Sequence, residues 1–447
     1  VSLSGYESNN GIAHASAFKT FYKAVSSLSP GDTLYIAGCI YTSPLIINKS
    51  GTSENHIRVK PISGQNVTVN STDNRTISVT GNYIELSGIK SMNGGWTCLD
   101  LHGSNLVVDS VEVTGCQSHS IIAFGKNVVV KNSTVHDSVL ENKSKTASGG
   151  WGSGLKVEHG AQDILFENNK VYNTYGEGIA TTMGTNVIFR GNIAYDNYSA
   201  NFYLDNSHNV TFENNISYCT NNTEYYRDGH PASGILIGEE DYNNRWSDWG
   251  ARLGNIRIIN NLIHGCASGI KFYRAEISGG GIKGGIIAHN TITSLWHNGP
   301  GISLAIEPAN RDIKIQNNIS SGSVTGSSAT ITVENNLNTT TFATTPDPTN
   351  PHSFIPTNTS SAVNSGVISG VNSDFRGSAR PLGGNYDIGA FEVGSTGATP
   401  SLSPISKPGD LNRDNRVDLL DYSYLLTRYG NPYSIIEFNL LIANFGQ

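Results

Sequence analysis

The sequence predicts an all-β fold, a right-handed parallel β-helix, and three observations lead there. One phrase returns through the middle of the chain: DILFENNKVYN from Asp163, NVIFRGNIAYDN from Asn186, NVTFENNISY from Asn209, NIRIINNLIHGC from Asn255, IIAHNTIT from Ile286, DIKIQNNIS from Asp312 and TITVENNLN from Thr330. Aligned, the phrases put Asn169, Asn192, Asn215, Asn261, Asn290, Asn318 and Asn336 at one position, and the early steps are 23 residues, a solenoid spacing. Each phrase also alternates apolar and polar residues, is rich in β-branched side chains and breaks at Asn or Gly, as a short strand does. Finally, no helical 3.6-residue pattern intervenes, which argues against leucine-rich or βαβ repeats. Asparagine tolerates the left-handed turn between strands, and its amide can bond to the same group one coil above and below, where strands lie about 4.8 Å apart.

The elements follow in chain order. Residues 16–28 (SAFKTFYKAVSSL) place Phe18, Phe21, Tyr22, Val25 and Leu28 at helical spacing, and Ser29-Pro30-Gly31-Asp32 stops the pattern. The open end of a solenoid needs covering, so this segment is expected to be a capping helix. Strand-like coils run from Thr33 to about residue 345, and less regular segments continue to Gly394, closing a domain over 1–394. Residues 395–407 (STGATPSLSPISK) form a Ser/Thr/Pro/Gly linker, and residues 408–447 a separate small module.

Composition narrows the function. The 447 residues carry a net charge of −7 and no basic stripe with interleaved aromatics, so nucleic acid is excluded as a partner. No apolar stretch approaches the roughly 20 residues a membrane span requires. A chain opening at Val1 reads as a processed product, and an extracellular or cell-surface location is expected. Of the five cysteines, Cys116 and Cys266 share a position of the repeat, which predicts small buried side chains filling the interior, with at least one free thiol among Cys39, Cys98, Cys116, Cys219 and Cys266. The Asn-x-Ser/Thr sequons at Asn215 and Asn318 fall in the ladder itself and are expected to be buried.

Between the ladder phrases a second strand recurs: CLDLHG, SIIAFG, GLKVEHG, GIATTMG, NFYLDNS, GILIGEE, GIKFYRAE and GISLAIE. With period two, one outward column reads Asp100, Ile122, Lys156, Ala180, Tyr203, Leu236, Lys271, Ser303, and the next His102, Phe124, Glu158, Thr182, Asp205, Gly238, Tyr273, Ala305. Glu239, Arg274 and Glu307 end such strands and Glu177 opens one. Insertions at 138–153, 220–233 and 241–254 flank this face with Trp151, Tyr225, Tyr226, His230, Trp246 and Trp249. Aromatic loops beside a polar strip make a groove able to stack sugar rings, with Glu177, Tyr203, Glu239, Tyr273, His230 and Trp151 as binding residues.

In the terminal module, Asp410, Asn412, Asp414, Arg416, Asp418 and Asp421 occupy positions 1, 3, 5, 7, 9 and 12 of a calcium loop, with Asn415 at the sharp turn. One helix follows over 422–429; a second opens with Ser434 and Glu437 and shows an apolar face of Ile435, Phe438, Leu441 and Phe445. GDLNRDNRVDLLDYSYLLTRYG resembles the first half of a dockerin, which implies a cohesin-like domain or a neighbouring copy as partner. The second half, NPYSIIEFNLLIANFG, keeps the helix and lacks the acidic loop, so one calcium is expected there.

The solenoid, with its opening GDTLYIAGCIY and its Asn ladder, looks like the β-helix families of polysaccharide lyases and related glycosidases. That resemblance implies an acidic polysaccharide as substrate, a lysine or arginine that removes the proton α to a uronate carboxyl, and calcium or another cation that neutralises the carboxylate. Lys271 or Lys156 is then the base and Arg274 the bidentate partner of the carboxylate, while Glu158, Glu177, Asp205 and Glu239 are candidates to hold a groove cation. The tight aspartate cluster of one calcium-dependent pectate lyase group is absent. A glycosidase is the alternative: Glu158 and Asp205 share a column two coils apart, about 9.6 Å, near the carboxyl separation of inverting enzymes. A non-catalytic filament or surface-assembly protein is the third.

Overall fold

The computed structural model describes residues 1–146, 151–242, 249–304, 310–326 and 328–394; the linker, the calcium-loop module, Trp246 and Glu307 lie outside these. Thirty-four short strands form three parallel sheets of 12, 11 and 11 strands, each strand pairing with its counterpart one coil on. Apolar side chains at alternate positions fill the interior, where Phe166, Phe189, Phe202 and Phe212 are fully buried and their rings meet at 4.8–6.0 Å.

The two polar residues of each phrase divide the corner between them. The first takes left-handed backbone, with φ of 54° at Asn168, 56° at Asn214 and 54° at Asn260, and Gly191 (63°) fills the place on another coil. The second turns inward. Asn169 donates through Nδ2 to Asn192 Oδ1 at 3.0 Å, and the chain continues to Asn215, Asn261, Asn290, Asn318 and Asn336 at 2.8–3.1 Å. Each Nδ2 also donates to a main-chain carbonyl of the preceding phrase, as Asn215 does to Phe189 at 2.8 Å. Buried Asn215 and Asn318 are therefore closed to a glycan, as expected.

The cap is shorter than the periodicity predicts. Helix α1 spans Phe21–Ser26, started by the Thr20 side chain accepting from Lys23 N–H at 3.2 Å. Phe18 packs on the core from extended chain ahead of the helix, and Tyr22, placed by spacing on the apolar face, is 85% exposed. Within the helix Phe21, Ala24 and Val25 are the buried residues, a single edge that packs on the end of the solenoid.

The cysteines differ from expectation. Cys98 bonds to Cys116 and Cys219 to Cys266, so these small buried residues are cross-links, the first from a strand to the turn beyond one and the second between two segments that follow strands; only Cys39 is free, and it is exposed. A spacing argument sees that both are buried, not which strands bring them together. Residues 340–394 cover one flank: Phe354, Ala390 and Phe391 pack on Ile216 and Leu262, and the buried Arg380–Glu392 pair (2.6 Å) locks the segment. No helix among the described residues is long and apolar enough to cross a membrane.

Candidate functional site

One 11-strand sheet floors a groove. Its strands are named here β1 (Arg75–Val79), β2 (Thr97–Leu101), β3 (His119–Ala123), β4 (Ser153–Val157), β5 (Glu177–Thr182), β6 (Ala200–Asp205), β7 (Ser233–Glu239) and β8 (Ser268–Ala275). The pairing Asp100–Ile122–Lys156–Ala180–Tyr203–Leu236–Lys271–Ser303 follows the sequence-derived column residue by residue. The second column follows it from Thr182 through Asp205 to Gly238 and departs from it at the next strand. A bulge between Ile237 and Gly238 sets Gly238 opposite Arg274 instead of Tyr273, and both Tyr273 and Arg274 reach the groove.

The groove encloses about 1060 Å³. Lys156, Glu158, Glu177, Tyr203, Lys271, Tyr273 and Arg274 line it from the floor, and Trp151 and His230 from the insertions. Trp151 is 38% exposed, its ring covered on one side by the Arg227 guanidinium at 4.6 Å. Tyr225 instead packs against Val139 and Tyr175, and Trp249 is buried, donating to Asn206 O at 2.5 Å.

Two expected site residues stand outside. Asp205 is fully buried beneath Tyr242, whose hydroxyl donates to Oδ2 at 2.5 Å; burial and the neighbouring Glu240 carboxylate push it well above the usual carboxylate range. Glu239 is fully buried as well, accepting from Leu253 N–H at 2.9 Å and Gly281 N–H at 2.6 Å, and burial raises its pKa. Its place follows from alternation: Ile237 points inward, so Glu239 does too and Glu240 faces the groove. The Glu158–Asp205 pairing expected of an inverting glycosidase therefore does not face a substrate. The residues do not fit a groove cation either. Asp205 and Glu239 are engaged, Glu158 pairs with Lys156 at 3.3 Å, and among the described residues no three His, Cys, Asp or Glu side chains group to hold a metal.

In the middle of the floor column Ala180, between Lys156 and Tyr203, is fully buried and packs with Tyr203. Glu177 lines the groove there, hydrogen-bonded by Ser153 Oγ at 2.6 Å; burial raises its pKa to about 7 against the opposing pull of Lys156. On the far side Tyr203 donates to Glu240 at 3.0 Å, Tyr273 donates to the same oxygen, and Tyr242 reaches the other at 3.4 Å. Glu240 and Tyr242 escaped the sequence-level selection, although the parity of GILIGEE marks Glu240 as the outward glutamate.

Three of the five Lys and Arg side chains that line the groove stand at its ends. Lys271 stands at one end with no ion pair among the described residues; Arg274 lies beside it over the Tyr273 ring at 4.8 Å and pairs with Glu276. Arg75 stands at the other, over the Trp96 ring at 5.0 Å. Five basic and five acidic side chains line the groove in all, so it is not uniformly cationic.

The comparisons agree with this architecture. A family model described as "Right handed beta helix region" matches residues 75–248. No curated protein matches the sequence. The crystal structure of pectate lyase Pel9A superposes with a TM-score of 0.57 at 16% identity, covering 88% of this chain and 95% of that one. The complex of XylC with xylose gives 0.55 at 10% identity, over 88% of this chain and 98% of the other. An alginate lyase from Paenibacillus sp. str. FPU-7 gives 0.45 at 12% identity, over 71% and 94%. At these identities the likeness is one of fold, and the chain is a right-handed parallel β-helix.

Proposed function

We propose that the groove binds an acidic polysaccharide along the solenoid axis and cleaves it by β-elimination at β8. The observation that carries this is the bulge opposite Gly238, which puts Tyr273 and Arg274 on the groove beside Lys271. A base, a proton donor and a carboxylate clamp then stand on one strand. Arg274 holds the uronate carboxylate through its N–H groups, which stabilises the charge that develops as the adjacent carbon loses its proton. The neutral Lys271 amine takes that proton, the bond to the glycosidic oxygen breaks, and a carbon–carbon double bond forms. The Tyr273 hydroxyl gives its proton to the departing oxygen and is restored from solvent. Lys271 suits the base role better than Lys156, which is tied to Glu158 as an ion pair. Lys271→Ala should lower turnover of a polyuronate about 10²–10⁴-fold with little change in thermal stability; full activity in that variant excludes Lys271 as the base.

Hydrolysis is the second reading, and Glu177 is the observation that favours it. A carboxyl whose pKa burial raises to about 7, lining the same groove as the tyrosine-bound Glu240, suits a general acid. Reducing ends released from a neutral glycan, lost in Glu177→Gln and kept in Lys271→Ala, would establish it.

The two disulfides support an extracellular or cell-surface location, since such bonds persist in oxidising compartments. The oxygen spacing from Asp410 to Asp421 supports one bound calcium in the terminal module, and the dockerin-like sequence there extends the proposal to a cohesin-like partner. Calorimetry of the full chain should give one calcium, and Asp410→Ala/Asp414→Ala none; a stoichiometry unchanged by the double substitution excludes this loop.

A further inference from the structure

At the end of the groove remote from Lys271, one buried carboxylate holds two nitrogen bases. Asp100, in the floor column of β2, is fully buried. Arg75 Nε lies 2.6 Å from its Oδ2, His102 Nε2 lies 3.2 Å from its Oδ1, and Ser78 Oγ donates to Oδ2 at 3.3 Å. The first two contacts have ion-pair distance without hydrogen-bond alignment: Asp100 Oδ1 and Arg75 Nε are buried with no aligned partner. Buried polar atoms left without an aligned partner are destabilising. A small rotation of the imidazole and guanidinium would align both, as polar sites often tighten only when ligand arrives.

Both side chains are also presented to the groove. Those of Arg75 and His102 are 42% and 40% exposed and line the same cleft as Lys271 and Arg274. Each is braced by a ring. The His102 imidazole stacks on Phe124 at 4.2 Å with 3° between planes, and Arg75 lies on Trp96. With Asp100 occupied on one side, the outer guanidinium nitrogens and His102 Nδ1 remain for a ligand, next to apolar ring surface. That combination recognises a sugar unit carrying a carboxylate.

β2 and β8 are separated by six strand spacings in the sheet order, which is about 29 Å. Resting on the lyase reading above, we infer that Arg75 and His102, oriented by Asp100, form a distal subsite for a uronate unit, so that the groove reads the length of an acidic glycan. Only an oligomer that spans the floor reaches both ends, and tethering the second contact to the first raises affinity without any new chemistry.

The test is calorimetric binding of oligogalacturonates and oligoalginates of graded length, from two units to ten, to the Lys271→Ala protein, whose slowed turnover leaves the oligomers intact during the titration. Affinity should step up once the oligomer spans the groove. Adding His102→Ala should lower the ratio of long-chain to short-chain affinity about tenfold, and Arg75→Lys should lower it in the same direction while keeping a cation on Asp100. A ratio unchanged in both variants, each shown folded by its thermal transition, overturns the subsite and leaves the chemistry at β8 standing. Oligouronates that bind at no length overturn both. Cleavage failure with length-dependent binding overturns the elimination alone.

Discussion

Glu177 shows how one buried side chain ties the site to stability. Its carboxyl is raised from 4.5 to about 7, chiefly by burial, so between those values the folded protein holds a proton that the unfolded chain has released. Stability conferred by the protonated form is complete below pH 4.5 and is lost as pH rises through 7. The full effect is about 3 kcal/mol. Glu177→Gln should accordingly flatten the fall in denaturation midpoint between pH 4.5 and 7; an identical pH profile in the variant means that Glu177 ionises freely. Single residues also mark where sequence reading stops. Alternation identified Lys156, Tyr203 and Lys271 as outward correctly, because parity is a property of the strand. It did not show that Asp205, also outward, is roofed by Tyr242 from an insertion, since nothing local encodes where a loop returns. Glu239 differs for another reason: in GILIGEE it shares the inward parity of Ile235 and Ile237, and it is fully buried.

Among the elements, the asparagine ladder was legible almost entirely, because a ladder is a repeat and repeats are visible in one chain. Its energetics depend on position. Asn215 donates to Asn261 and to Phe189 O, and accepts from both the backbone and the amide of Asn192, so Asn215→Ala removes four hydrogen bonds to buried groups, although Asn261 Oδ1 and Asn192 Nδ2 each keep another partner. A loss of about 3–5 kcal/mol in urea unfolding is expected, against about 1 kcal/mol for the half-exposed ladder end Asn336→Ala. Equal losses at both sites would show that the ladder is not the unit of stabilisation. The disulfides were not legible, since pairing depends on which coils the insertions separate. They close loops of 18 and 47 residues, worth about 3 and 4 kcal/mol in the chain-entropy account. Cys219→Ser/Cys266→Ser should therefore destabilise more than Cys98→Ser/Cys116→Ser. It should also weaken glycan binding, because Cys219 immediately precedes the insertion that carries Arg227 and His230. The reverse order of stability would point to strain or residual structure instead of loop length. The cap helix is shorter than its apolar spacing predicts, because Phe18 reaches the core from outside the helix and Tyr22 is exposed.

At the scale of the molecule, a solenoid turns a linear repeat into a long flat floor, and chemistry arises only where insertions wall it and a bulge breaks its register. Fold and floor were therefore readable from the repeat, whereas the bulge that gathers Lys271, Tyr273 and Arg274 was not: it is a one-residue slip between two strands, with no signature in either. The central claim is that this strand performs β-elimination on a uronate. Its most direct test is incubation of the purified full chain with polygalacturonate and with alginate, following the ultraviolet absorbance of the unsaturated product. Absorbance should rise with one of them, fall at least a hundredfold in rate with Lys271→Ala, and fall about as far with Tyr273→Phe. No unsaturated product from either polymer, or a rate untouched by Lys271→Ala, would contradict it.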